Sequence, residues 1–166
     1  MLSSLYRPDA ACLKQLSETD PRIVYNSILA ELAAWEQRDY RDCDEIPRLA
    51  DTLNRVGYRE LQPLLEDWLG ENPSPERYEV VGWFLWSYWM AVKVLDVQLV
   101  HRFISATADL ATNVVALHAV LFALTSAAKH RSSKLCPMIR NKLADIRLHA
   151  LKYKLEPGIL GHLEDL

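Results

Sequence analysis

The chain is poor in the residues that punctuate β proteins. Five glycines and eight prolines in 166 residues leave little material for the many tight turns of a sandwich or barrel. Its three cysteines, Cys12, Cys43 and Cys136, are odd in number, widely separated and free of CxxC spacing. That pattern builds neither a disulfide framework nor a zinc site, and three reduced thiols are expected. Long hydrophobic runs are also missing. The longest weakly charged stretch, Val80 to Val92, is about 13 residues, whereas a bilayer span needs roughly 20. No membrane partner is expected on that ground. The start, Met1-Leu2-Ser3-Ser4-Leu5-Tyr6-Arg7-Pro8-Asp9, has no basic leader followed by an apolar run, so a cytoplasmic location is expected.

Catalytic patterns are equally scarce. There is no GxSxG, P-loop or Gly-rich phosphate loop. The histidines, His101, His118, His130, His149 and His162, form no HxxxH or HExxH pair, so no metal site is expected. Glu66-Asp67 and Asp44-Glu45 are adjacent in sequence and splay apart on a helix, which is poor geometry for acid–base work. The expectation is a protein that is not an enzyme and carries no cofactor.

What the sequence does contain is helix-forming material. Half of it is hydrophobic and a quarter charged, and Leu, Ala, Glu, Lys and Arg dominate. One all-α domain over residues 1–166 with about seven to nine helices is expected. Asp20-Pro21 starts a helix to about Gln37, with Val24, Tyr25, Ile28, Leu29, Leu32 and Trp35 on one side and Arg22, Asn26, Ala30 and Ala33 opposite. Further helices are expected near Pro47–Val56, Tyr58–Leu69, Pro75–Val94, Val97–Ala108, Leu110–Ala128 and Pro137–Lys154, separated by breaks such as Gly70-Glu71-Asn72-Pro73-Ser74-Pro75.

Two stretches repeat one arrangement. Leu61 to Trp89, "LQPLLEDWLGENPSPERYEVVGWFLWSYW", is an apolar helix, an Asn-Pro-Ser-Pro turn and a second apolar helix. Leu13 to Trp35 has the same form around Asp20-Pro21, and Val97 to Leu124 is a third copy without a proline. The pattern resembles HEAT repeats, although the Val-Arg pair that follows the turn in that family is replaced by Ile23-Val24 and Arg77-Tyr78. The two proline turns lie 54 residues apart, against about 40–47 in the family. The resemblance implies stacked helical hairpins, a short α-solenoid. A compact helical bundle of other topology is the alternative.

The segment Trp83-Phe84-Leu85-Trp86-Ser87-Tyr88-Trp89-Met90 holds three of the five tryptophans. On a helical wheel Tyr78, Val81, Phe84, Leu85, Tyr88, Trp89 and Val92 share a core-facing arc. Trp83, Trp86 and Met90 fall instead among Glu76, Glu79, Ser87 and Lys93. Either a neighbouring helix covers them or they anchor a partner, aromatic side chains with a polar rim being the usual make-up of an interface hot spot.

Charge is divided along the chain. Residues 1–100 carry 10 Lys/Arg against 17 Asp/Glu, net −7, and residues 101–166 carry 9 against 5, net +4. The acidic connector Asp39, Asp42, Asp44 and Glu45 could speed association with a basic partner. The basic run Lys129, Arg131, Lys134, Arg140, Lys142, Arg147, Lys152 and Lys154 could contact phosphates, with Arg140, Arg147 and Lys154 recurring every seven residues. Tyr153 is the one aromatic within it, so no base-stacking groove is indicated.

These features favour a protein that works by binding. Small HEAT-like proteins in bacteria include immunity proteins, and the resemblance implies one that neutralises a basic, nuclease-type toxin domain by occlusion. Trp83, Trp86, Met90 and Glu79, with Asp39, Asp42, Asp44 and Glu45, are the expected partner-binding residues. A HEAT-like nucleic-acid-binding or DNA-repair protein using the basic C-terminal helix is the alternative. Glu76 and Glu79 beside the tryptophans would repel phosphate and weigh against it.

Overall fold

A computed structural model describes residues 61–92, 94–130, 134–155 and 157–164, together with Gln15, Asn26, Leu29, Ala30 and 32–34. The fold is all-α, with no strand among the described residues. In the N-terminal part, Leu32 is fully buried and Leu29 half-buried, while Asn26, Ala30 and Ala33 are exposed. The expected two-sided helix holds wherever it can be read.

Helix α1, Leu61–Leu69, turns Leu61, Leu64, Leu65 and Leu69 into the core at the i, i+3, i+4 spacing of an amphipathic helix. It stops at Gly70, whose φ of 70° lies in the left-handed region that glycine enters without steric cost. Helix α2, Pro75–Ala91, is started by Ser74, whose side chain accepts from the Arg77 N–H, with Pro75 at the first helical position. It ends three residues before the expected Val94 because Val92 is already extended. Helix α3, Val97–Asp109, is capped by Asp96, whose carboxylate accepts from the Leu99 N–H at 2.9 Å.

The expected helix Leu110–Ala128 is in fact two elements. A 3-10 turn, Leu110–Thr112, gives way to α4, Val114–Ala128, at Asn113, whose side chain accepts from the Ala116 N–H at 3.1 Å. An Asn before an apolar run is a cap signal. The expected helix Pro137–Lys154 is also shorter. Helix α5 covers Cys136–Leu148, and successive turns follow up to Lys154, whose φ is 49°. Lys154 therefore does not continue the stripe of Arg140 and Arg147. Helix α6, Pro157–Glu164, lies beyond the last helix expected from the sequence.

The helices pack on their neighbours and on the next but one. Helix α2 lies against α4 and α1 against α3, while α1–α2, α3–α4, α4–α5, α5–α6 and α4–α6 also touch. Gly82 approaches Ala119, Trp86 approaches Phe122 and the Trp89 carbonyl meets the His130 ring, so α2 and α4 run parallel. Glycine is required at 82: a Cβ there would lie 2.7 Å from the Ala119 carbonyl carbon. From Ala116 to Ala128, α4 is buried on nearly every side, with only His118 and Phe122 partly exposed. It is the central rod of the described fold, and burial of each large apolar side chain contributes roughly 1.5–3 kcal/mol.

Candidate protein-binding surface

The α2 segment divides into two faces, as its wheel implies. Phe84, Leu85 and Trp89 are fully buried and Tyr88 nearly so, while Tyr78 and Val92 are half-buried at the edge of the core. Burial pushes the Tyr88 phenol up to about 12. The buried arc is wider than expected, because Val80 and Gly82 are also buried. Helix α2 is flanked by both α1 and α4, so its wheel has two inward directions.

Trp83 and Trp86 lie on the outer side of α2, and both are half-buried. What covers them is Phe122 of α4. Its ring centroid lies 5.4 Å from that of Trp83 and 5.3 Å from that of Trp86, and the two indoles meet edge-on at 5.9 Å. Offset and edge-on aromatic pairs at such separations are attractive beyond their buried area. Trp83 also packs on the core beneath it. Met90, one further turn along, is 52% exposed. Trp83, Trp86 and Met90 thus form an i, i+3, i+7 strip, with Phe122 filling its inner edge. This is the spacing by which one helix face is read by a partner. Glu79 is half-buried and Glu76 exposed near the start of the same helix. Phe122 carried no signal in the sequence, being one apolar residue in an apolar run. The acidic connector Asp39, Asp42, Asp44 and Glu45 lies outside the described residues.

A buried polar hub holds the strip's helix in place. The Gln62 side-chain oxygen accepts from the Trp89 indole N–H at 2.9 Å and from the Asp96 N–H at 2.7 Å, and its amide donates to the Val94 carbonyl at 2.8 Å. One amide therefore joins α1, α2 and the α2–α3 connection, with its oxygen doubly used. Trp89 completes its setting edge-on to Phe103 at 5.6 Å.

The C-terminal end of α1 is held by two arginines. Arg77 donates to the Trp68 carbonyl at 2.7 Å with its guanidinium 4.8 Å from the Trp68 ring centroid. Arg102 donates to the Glu66 carbonyl at 3.1 Å and to the Gly70 carbonyl. Cations there satisfy orphan carbonyls and complement the helix dipole. Arg102 and Glu66 also line an open cleft with Pro63, Asp67 and Gln98. Partial burial, then Asp96, raises the Glu66 carboxyl, and Arg102 opposes the shift.

Other side chains singled out in the sequence make local contacts. Cys136 is buried, its thiol directed at the Ala127 and His130 carbonyls, which ties α5 to the end of α4. His149 lies against Asp145 at 3.3 Å on the surface. Among the described residues no group of three or more His, Cys, Asp or Glu side chains could hold a metal ion, and no helix is long and apolar enough to cross a membrane. Arg140 reaches the Ala128 carbonyl at 3.3 Å, and Tyr153 is buried, so its ring is not available for stacking on a base.

No protein-family model, curated protein or solved structure matches the chain.

Proposed function

We propose that this chain is a non-enzymatic binding protein whose contact surface is the α2–α4 face carrying Trp83, Trp86, Phe122 and Met90. The exposure of Met90 beside a half-open aromatic trio is the observation that carries the reading. Two indoles combine large contact area with few torsions to immobilise, Met90 adds an adaptable apolar contact, and Glu76 and Glu79 supply an acidic edge. Within this class, the favoured role is that of a bacterial immunity protein occluding a basic toxin domain in the cytoplasm. The −7 balance of residues 1–100 suits such a partner. The parallel packing of α2 on α4, and of α1 beside α3, supports reading the chain as stacked HEAT-like hairpins.

The test is affinity purification from the native organism with the wild type and with Trp86→Ala/Met90→Ala. That pair spares Trp83, which packs on the core. The wild type is expected to recover a protein with a basic domain and to block its activity. The double variant is expected to retain helical content while losing about tenfold or more in affinity, two truncated anchors being worth upwards of about 1.4 kcal/mol. Equal recovery by a folded variant would falsify the assignment of this face.

A further inference from the structure

The end of α5 carries a second surface of different make-up. Leu148 is 79% and Leu151 96% exposed, so no part of the described fold leans over Leu151. The Lys152 N–H bonds the His149 carbonyl and the Ala150 N–H the Arg147 carbonyl, a run of tight turns in which residues three apart lie on the same side. The two leucines are therefore paired at a protruding corner. Around them Arg147, Lys152 and Lys154 are all exposed. The Lys152 ammonium lies 5.7 Å from the Tyr153 ring centroid, which steadies its stem against a residue rooted in the core. The only acid among the described residues from Lys129 to Leu155 is Asp145, and it faces His149.

From this arrangement we infer that the Leu148–Leu151 corner docks on the surface of an anionic phospholipid bilayer, the leucines entering the headgroup–acyl boundary and Arg147, Lys152 and Lys154 contacting lipid phosphates. Charge complementarity selects an anionic surface. The leucines distinguish a lipid from a nucleic acid, whose phosphates would gain nothing from them, and Tyr153 is buried where base stacking would need it free. A protein partner is less well suited, because among the described residues this corner presents no exposed aromatic anchor of the kind that dominates protein interfaces. Absence of a membrane-spanning helix has no bearing on surface docking, which needs a few apolar side chains among cations.

The experiment is co-sedimentation of the full chain with phosphatidylcholine vesicles and with vesicles containing phosphatidylserine, with duplex DNA and a soluble acidic protein as competitors. Sedimentation with the anionic vesicles alone, weakening with salt, is expected. Leu148→Ser/Leu151→Ser should weaken it about tenfold with an unchanged thermal melt, and Arg147→Gln/Lys152→Gln should weaken it comparably. Failure to sediment, or sedimentation indifferent to the serine pair, would overturn the inference. So would displacement by DNA, which would mark a phosphate site, or by the acidic protein, which would mark a protein interface.

Discussion

Leu124 and Leu151 are the same side chain in opposite settings. Leu124 sits in α4, fully buried between its neighbours, and Leu151 stands 96% exposed in the turns after α5. Around Leu124 the chain excludes charge altogether: no Lys, Arg, Asp or Glu occurs from Val114 to Ala128. Around Leu151 it gathers cations. The first region is built to hold the molecule together, whereas the Leu151 side chain itself contributes almost nothing to that. An apolar residue therefore takes its meaning from what surrounds it, since only burial converts apolar area into stability.

The sharpest way to break the first region is at its closest approach. Gly82→Val puts two methyl groups where even a Cβ would be 2.7 Å from the Ala119 backbone, which cannot turn aside as a side chain could. Denaturant unfolding should show a loss of about 4 kcal/mol or more, and a midpoint equal to wild type would contradict the α2–α4 packing. Leu124→Ala should cost about 3 kcal/mol by the same measurement, through lost burial and the cavity left behind. Gln62→Leu should cost about 2 kcal/mol, because the Trp89 indole and the Asp96 N–H lose their acceptor together. Unshifted Trp fluorescence in that variant would argue against the hub.

An alkaline titration probes the same region more gently. The Tyr88 proton is held more tightly in the fold, about 12 against 10.0 when unfolded. Its contribution is complete below pH 10 and is lost as pH rises towards 12, by about 1–2 kcal/mol. Tyr88→Phe should remove that part of the alkaline loss, read from melting temperatures across the window. At the far end of the scale, Leu151→Ala should change stability by less than about 0.5 kcal/mol. A larger loss would mean that Leu151 is covered.

Much of the architecture could be read from the residues, and the misreadings have physical causes. Helical periodicity and caps located α1, α2 and α3 within a few residues, and the wheel assigned Phe84, Leu85, Tyr88 and Trp89 to the core. It underrated Val80 and Gly82 because a wheel assumes one buried direction and α2 has two. Asn113 caps α4 from within a long apolar stretch, whose continuous hydrophobicity hides the break. The end of α5 at Leu148 has no Gly or Pro to announce it; buried Tyr153 and left-handed Lys154 belong to the turns that replace the helix. Gln62 was invisible for another reason. A glutamine beside Leu61 reads as a solvent position, and its partners lie 27 to 34 residues away. The outer placement of Trp83, Trp86 and Met90 was legible, but the ring that partly covers the tryptophans was not.

The two arginines at the end of α1 set an order in time. Arg77 follows the carbonyl it serves by 9 residues, and Arg102 follows its own by 32 and 36. A ribosome adding about 5–20 residues per second delivers Arg77 within roughly two seconds of Trp68, but takes about two to seven seconds to bring Arg102 after Glu66. During translation the end of α1 acquires its supports one at a time, and it cannot be fully secured until the first six residues of α3 have been made.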